Sequence, residues 1–484
     1  METQFSAFDQ ADIINFLKTV VKDGQVKNDP TTLQSQSYSS KLAGDHQPAI
    51  AYVEAKSIAD VQGTLKTARK FHLPVVTQNR FTSTVIGADA VNGGIILSTA
   101  AMDKILSLNV EDGYAVVEPG VINGELDKEA RKHGLFYAPD PASKPFSGIG
   151  GNIGTNAGGL SGVRYGSTRD NVLGLKVVLA DGRVLDLGGK TSKQAFGYNL
   201  TQLFIGSEGT LGVIVEATVK LMPLPLGKSL MGMAFFKDMP TLAKATTDLR
   251  MAGLYPSMLE AMDSNTLQAI DQFKQTTYSQ AAGAALIFKI DMINDLTAPT
   301  VEKILTRYQA SNVKMTSDED EQAAIIELRQ AMLPAIFTGR NAVMEDMAVP
   351  TSKLAELVAY IQQVSEETGI QIFTAGHAGD GNIHPTLTWS QDIKETPEGV
   401  TLALRKLFNK ALELGGTISG EHSVGMLKNQ WNNVELGADV DYLQHQVKAL
   451  FDPMNLLDGE ATTNYPWLDT LVTVLRQKIF ATYI

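Results

Sequence analysis

The chain has 484 residues, 44% of them hydrophobic and 19% charged, and its 41 Lys and Arg against 53 Asp and Glu give a formal net charge of −12. This predicts a globular protein of several domains, at ~100–200 residues each, with a core that needs no staples; the acidic balance argues against nucleic acid as a partner, since phosphate binding needs concentrated cations. With no cysteine in the chain, disulfides, thiolate metal ligands, Cys-bound iron–sulfur clusters, cysteinyl flavin links and cysteine nucleophiles are excluded.

The stretch Met1–Phe16 carries acids and no basic region, so it does not read as a secretory signal. No run approaches the ~18 uncharged apolar residues of a membrane span, and a cytoplasmic location is expected. Residues 1–43 are expected to form an N-terminal segment around one amphipathic helix, with Ile13, Ile14, Phe16, Leu17 and Val20 at helical spacing. Ala49 to Val53 reads as a strand, Ser57 caps a helix running to about Phe71, and Pro74-Val75-Val76 opens another strand. Gly94 to Ser98 is a further strand, and Ile105 to Glu118 a hairpin turning at Glu111-Asp112-Gly113. Asn123 to His133 forms a helix closed by Gly134. Past a glycine-rich stretch at 148–162, Leu175–Ala180 and Arg183–Leu187 flank the hairpin signal Asp181-Gly182, and Leu211–Leu221 is a long β-rich run. Pro223-Leu224-Pro225 marks a domain boundary. Beyond it, strands at 230–236, 284–291, 343–349 and 370–375 alternate with helices near 239–252, 296–311, 319–338 and 351–368, and a helix at 398–413 precedes Gly415-Gly416. An antiparallel sheet with helices on one face fits this second part, so the fold class is α+β. Trp467–Ile484 places Leu468, Leu471, Leu475 and Ile479 on one helical stripe. Its bland reading is packing against the body of the protein; the sharper one is a membrane-surface or subunit contact.

Three segments carry chemistry. In Pro139-Asp140 through Gly159, glycines 148, 150, 151, 154, 158 and 159 strip the backbone of side chains, so its N–H groups can meet an anion or a flat ring. A dinucleotide-binding fingerprint is rejected, because irregular Pro-rich chain precedes the glycines and Ile153 stands where the third should be. Phe204–Ile214 places Gly206, Gly209 and Gly212 before a strand, a weak signal alone. The third, Gly376–Pro385 followed by Gly415–Gly425, gathers His377, His384, Glu421 and His422. His377 and His384 lie seven apart across a Gly-Asp-Gly turn, and a loop that reverses could aim both at one point. Two imidazoles and the Glu421 carboxylate would make a three-ligand site for Zn²⁺, Mn²⁺ or Fe²⁺ with open positions, with His422 as a base beside it; isolated structural histidines are the alternative. Asp380 fits a turn better than a fourth ligand.

Together these segments resemble the flavin-linked 2-hydroxyacid dehydrogenases of the vanillyl-alcohol-oxidase superfamily, in the branch of D-lactate dehydrogenase, the glycolate oxidase D subunit and D-2-hydroxyglutarate dehydrogenase. The resemblance covers about residues 40–460 with the motifs in the same order. It implies an FAD-binding domain of two subdomains over 44–223, a substrate or cap domain over 224–420, and a segment over 421–484 that returns to the flavin domain. The pyrophosphate loop falls on Val76–Gly87, which includes Gln78, Asn79, Arg80, Thr82 and Ser83. Pro139, Asp140, Ser143, Gly150, Gly151, Asn152, Thr155, Asn156, Gly158 and Gly159 would line the flavin, with Gly209 and Ile214 adding contacts. His377, His384 and Glu421 fall on metal ligands, His422 on the base, and Arg329 on the cation that grips the substrate carboxylate.

Four departures stand out. Asn79 and Phe81 replace loop glycines, and Phe tolerates positive φ poorly; Arg80 could compensate as a cation near the phosphates. Ser423 replaces a glycine after Glu421-His422. Met344 stands where dicarboxylate-specific members carry a lysine, which favours a monocarboxylate substrate. The chain also runs ~20 residues past the end expected from this branch. The implied activity is oxidation of a D-2-hydroxy acid such as D-lactate or glycolate, with non-covalent FAD and a divalent metal. The rivals are a metal-dependent hydrolase and a non-catalytic flavoprotein subunit for electron transfer. Quinone, oxygen or a carrier protein stay open as electron acceptor, as do a homodimer and peripheral attachment at the inner face of the membrane.

Overall fold

In the computed structural model, residues 9–37, 48–85, 87–88, 93–280 and 283–457 are described, and they divide into two units. The first takes Met1–Ala157, Ser167–Leu224 and the return segment from Glu421 onward; the second takes Gly158–Gly166 and Pro225–Gly420.

The first unit holds two sheets. Strands β1 (Gln25–Lys27), β2 (Ala51–Glu54), β3 (Val75–Gln78) and β4 (Ile95–Ser98) run in the order β1-β2-β4-β3. β4 is parallel to both β2 and β3, and β1 is antiparallel to β2. The crossover helix Ile58–Phe71 starts where Ser57 accepts a hydrogen bond from the Asp60 N–H, and it lays Val61, Leu65 and Ala68 onto Val53, Val75 and Ile95. The helix Gln10–Val20 packs Ile13, Ile14 and Leu17 into the same core. The buried Asp60 carboxylate accepts from the N–H groups of Lys22, Asp23 and Lys56. Residues 9–37 therefore pack into the body of this unit.

The second sheet is antiparallel. It contains β5 (Ile105–Asn109), β6 (Tyr114–Val117), β8 (Val172–Val178), β9 (Val184–Gly188) and β10 (Val213–Lys220) in the order β5-β6-β10-β8-β9, while β7 (Leu135–Phe136) pairs β11 (Met222–Pro223). Both hairpins turn on glycines at positive φ, Gly113 at +64° and Gly182 at +88°. The glycine-rich stretch contains a seven-residue helix, Ile149–Thr155, that buries Ile149 and Ile153 fully. The helix Ala438–Phe451 of the return segment sets Phe451 edge-on to Phe204, with ring centroids 5.2 Å apart.

The second unit is built on an eight-stranded antiparallel sheet of β12 (Leu230–Phe236), β13 (Met258–Asp263), β14 (Ala284–Ile290), β15 (Ser311–Thr316), β16 (Arg340–Met344), β17 (Met347–Ala348), β18 (Gln371–His377) and β19 (Asn382–Ser390). The order is β15-β12-β14-β13-β18-β19-β16, with β17 also on β19. Helices Met239–Met251 and Leu354–Thr368 pack on each other, and Ser264–Lys274 packs on β13, β14 and β18. Several expectations are corrected. The single helix expected at 319–338 breaks into Glu319–Gln330 and Met332–Phe337, because Pro334 has no N–H and its ring opposes the carbonyl four residues back. The helix expected at 296–311 ends at Arg307, with Gln309 at φ +56°, and β15 follows. The strand expected at 343–349 is interrupted at Glu345-Asp346. Trp467–Ile484 lies outside the described residues. No described helix is long and apolar enough to cross a membrane.

One buried anion fixes the chain entering the glycine-rich stretch. Asp127 accepts from the Tyr137 N–H at 3.0 Å, Arg131 Nε at 3.0 Å and Lys144 Nζ at 2.9 Å. Burial alone would raise its pKa, but the Lys144 and Arg131 charges and hydrogen bonds hold it below the ordinary 3.8. A depressed carboxylate adds stability above the unfolded pKa and loses it as pH falls through the folded one. Asp127→Asn is expected to cost about 1–3 kcal/mol in urea unfolding at pH 7, and the gap to wild type should narrow as pH drops below 3.8.

Candidate functional site

Within the first unit, the glycine motifs converge on the helix Ile149–Thr155. Its last carbonyls have no partner inside the helix. Gly206 N–H donates to Ile153 O at 2.9 Å, Glu208 N–H to Gly154 O at 2.8 Å, and Ser423 Oγ to Thr155 O at 2.9 Å. Glu208 in turn accepts from the N–H groups of Val424 and Gly425 at 3.0 and 2.9 Å. Burial pushes the Glu208 carboxyl up, opposed by those two N–H groups and the Lys428 charge. At the helix start, a Cβ on Gly148 would sit 1.9 Å from Asn79 Oδ1, and one on Gly150 would sit 2.5 Å from Pro119 Cβ, so only glycine fits either place.

The loop after β3 departs from its expected form. Phe81 holds φ +58°, the left-handed region that a glycine would take without strain. Asn79 Nδ2 donates to Thr99 Oγ1 and Pro119 O, and Arg80 is turned onto Gly120 O at 2.7 Å with Asp103 3.9 Å away. The cation expected near the phosphates is thus engaged by protein groups. Gln78 is buried and donates to the Gln36 and Ala88 carbonyls; Thr82 and Ser83 follow, half-buried.

Pro139 is buried, Asp140 half-buried, and Ser143 O accepts from the Phe146 and Ser147 N–H groups in a tight turn. The Asn156 side-chain oxygen is taken by Ser167 Oγ and the Arg169 N–H, and Thr155 Oγ1 by Gly151 O. A Cβ on Gly209 would touch Thr77 at 3.4 Å, and Ile214 lies in β10 within the core. Gly158 and Gly159, expected beside Asn152, fall in the second unit. Thr77 Oγ1, Gln78 Oε1, Asn79 Oδ1 and Asn152 Oδ1 are buried without a partner. Buried acceptors of this kind call for donors, and a flavin with its ring N–H and ribityl hydroxyls brings them.

In the second unit, β19 alternates cleanly: Asn382, His384, Thr386 and Thr388 share one face, and Ile383, Pro385, Leu387 and Trp389 the other. His377 closes β18 opposite Asn382, and His384 lies opposite Ala375, so the two histidines are diagonal neighbours on one face, their rings perpendicular with centroids 5.2 Å apart. The Gly-Asp-Gly turn between them is the reversal expected from the sequence. Each ring has a carboxylate on its Nδ1 side, Glu260 Oε1 at 2.7 Å from His377 and Asp346 Oδ1 at 3.6 Å from His384.

Glu260 stands directly opposite His377 on β13. Arg329 Nε and Nη2 both lie 2.8 Å from Glu260 Oε2, and Nη1 is 3.7 Å from Met332 Sδ. The side-on fork of Arg329, expected on a substrate carboxylate, is therefore occupied by Glu260, and the Nη1 end remains. Burial would raise the Glu260 pKa, yet the charges and hydrogen bonds of His377 and Arg329 hold it at about 2. Asp346 binds Asn382 Nδ2 at 2.7 Å, and a Cβ on Gly420 would meet both residues. Glu421 is the next residue in the chain, and His422 Nε2 lies 3.8 Å from its carboxylate. Sequence reasoning missed Glu260 and Glu208. The available signal for Glu260 was a charge set inside the apolar run 258–262 of β13.

Two family descriptions match, an FAD binding domain over residues 49–188 and the C-terminal domain of FAD linked oxidases over 228–459. The glycolate oxidase subunit GlcD of Bacillus subtilis is 37% identical over 84% of this chain and 87% of its own length. D-lactate dehydrogenase of Anaerostipes hadrus is 33% identical over 86% and 90%, and that of Archaeoglobus fulgidus 33% over 84% and 89%. Among solved structures, p-cresol methylhydroxylase superposes with a TM-score of 0.76 at 16% identity over 94% of this chain and 97% of its own. 4-Ethylphenol oxidase from Gulosibacter chungangensis gives 0.75 at 18% over 95% and 99%. The α+β fold is that of these flavin oxidases, and the chain belongs to the FAD-linked oxidase family. Within it, this is an FAD-dependent oxidoreductase of the glycolate oxidase GlcD and D-lactate dehydrogenase type.

Ser423 holds φ +74°, which explains the glycine usual there, and its bond to Thr155 O compensates. Ser423→Gly loses that bond but relieves the strain, so its flavin-detected unfolding should stay within about 1 kcal/mol of wild type. Ser423→Ala keeps the strain without the bond and should unfold earlier than either.

Proposed function

We propose that the protein oxidises a D-2-hydroxy monocarboxylate, D-lactate or glycolate, to its 2-oxo acid, with non-covalent FAD and a divalent Zn, Mn or Fe ion held by His377, His384 and Glu421. The observation that carries this reading is the pair of histidines on one sheet face, each with a carboxylate on its Nδ1 side; at His377 the 2.7 Å contact favours the tautomer whose Nε2 can ligate a metal. Bound there, FAD supplies the acceptor for the C2 hydride and the ion supplies Lewis acidity toward the 2-hydroxyl. His422 accepts the hydroxyl proton at an imidazole nitrogen, and the Nη1 end of Arg329 orients the substrate carboxylate. Met344 pairs with Thr386, two residues along β19 from His384, and so shares the face of the histidines. A neutral thioether there gives a second carboxylate no cation, which favours a monocarboxylate. The names of the relatives, glycolate oxidase and D-lactate dehydrogenase, support the same substrate class.

The purified protein should be yellow and its flavin absorbance should bleach anaerobically with D-lactate or glycolate; a flavin left oxidised by every 2-hydroxy acid tried refutes the reading. His422→Ala should keep its flavin and lose ~10²–10⁴-fold in turnover with an artificial acceptor. Chelation should lower turnover without releasing flavin, measured by absorbance of the protein fraction after gel filtration.

A further inference from the structure

Glu260 has 0% exposure and divides its two oxygens between different partners. Oε1 takes His377 Nδ1 at 2.7 Å; Oε2 takes Nε and Nη2 of Arg329, each at 2.8 Å. The two partners come from different elements, His377 from the end of β18 and Arg329 from the last turn of the helix Glu319–Gln330. We propose that Glu260 is a positioning residue that sets the metal-binding imidazole and the carboxylate-orienting guanidinium with one anion, so that metal affinity and substrate binding are coupled through it. This rests on the metal and substrate reading given above.

The chemistry follows from what a carboxylate offers. An ionised carboxylate accepts at both oxygens and donates at neither. On the His377 side it requires Nδ1 to carry the proton, which fixes the tautomer that has its lone pair on Nε2, the form a metal needs. On the Arg329 side it holds the guanidinium plane by two N–H groups, which fixes the direction of Nη1. Asp346 cannot substitute, since it lies 3.6 Å from His384 and spends an oxygen on Asn382.

An amide cannot serve both partners. Glu260→Gln has one acceptor oxygen and one NH₂ group. With the oxygen on Arg329, the NH₂ faces His377 Nδ1 and selects the tautomer that has lost its Nε2 lone pair. With the oxygen on His377, the NH₂ opposes the N–H groups of Arg329 and releases the guanidinium. Glu260→Asp keeps the charge but is one methylene short.

The test uses FAD-loaded full-length protein stripped by chelator. Zn²⁺ and Mn²⁺ are titrated in turn against a competing chelator, and kcat and KM for D-lactate and glycolate are measured after reloading. Glu260→Gln is expected to bind metal ~10–100-fold more weakly or to raise KM by a comparable factor at saturating metal, with flavin content unchanged. Glu260→Asp should fall between it and wild type in the same quantity, a graded rescue that a purely packing role would not give. Glu260→Gln with wild-type metal affinity and wild-type KM overturns the proposal while leaving the hydroxy-acid reading intact. If that variant does not fold, Glu260→Asp with both quantities unchanged overturns it equally. Wild-type protein that takes up neither ion overturns the proposal together with the metal part of that reading.

Discussion

The open end of a seven-residue helix organises the first unit. Ile149–Thr155 is too short to be stable in isolation, and its last carbonyls need partners from outside the helix. They are satisfied by groups from two distant places, the N–H groups of Gly206 and Glu208 and the hydroxyl of Ser423. Glu208, held at φ +54° by this contact, then binds the Val424 and Gly425 N–H groups. Three segments spread over 148–425 thus meet because a handful of carbonyls must be bonded. Glu421 and His422 lie immediately before that anchor in the return segment.

The second unit depends on an analogous demand made by a charge. A fully buried carboxylate is tolerable only when paired and hydrogen-bonded, and losing one partner of such a pair costs about 3–5 kcal/mol. Glu260 therefore ties β13, β18 and the helix Glu319–Gln330 together as firmly as apolar contacts do. The break at Ala331-Met332, imposed by Pro334, leaves Arg329 at the end of its helix, and from there the side chain reaches β13. A backbone rule and an electrostatic one act at the same place.

How much of this was legible follows from the range of each signal. Local signals held well. The Ser57 cap, the Asp181-Gly182 and Gly113 turns and the apolar stripes gave elements within a few residues of where they lie. The α+β class followed from their order, and the motif resemblance pointed to the family that the comparisons establish. What was not legible was relational. β13 and β19 were missed because strands buried on both faces and carrying Glu260, His384 and Thr386 in their interiors show no apolar period of two until their partners are known, and β15 because residues 311–314 are exposed and hold a single apolar residue, Val313. The helix at 149–155 was missed because three glycines and the β-branched Ile149, Ile153 and Thr155 disfavour it locally; tertiary bonds to its carbonyls override that preference. The engagement of Arg329 by Glu260 spans 69 residues of sequence, and no spacing rule reaches that far.

The charges of the histidine-bearing face argue for what must bind there. Arg329 is neutralised by Glu260 at 2.8 Å, and Asp346, 0% exposed, adds a second negative charge beside His384. Arg340 lies at the far end of β16, opposite Ser390, with its guanidinium over Phe373 and Nη1 on the Ala335 and Ile336 carbonyls. With Arg340 turned away, Arg329, Glu260 and Asp346 sum to one negative charge, and in a chain of net charge −12 such a field repels an anionic substrate. A divalent ion held by these imidazoles, as proposed above, would invert the sign locally. It would give a 2-hydroxy acid a cation for its hydroxyl and first carboxylate, while Met344 would leave none for a second. On the reading proposed above, the ion that activates the hydroxyl would also be what makes the face attractive to the substrate.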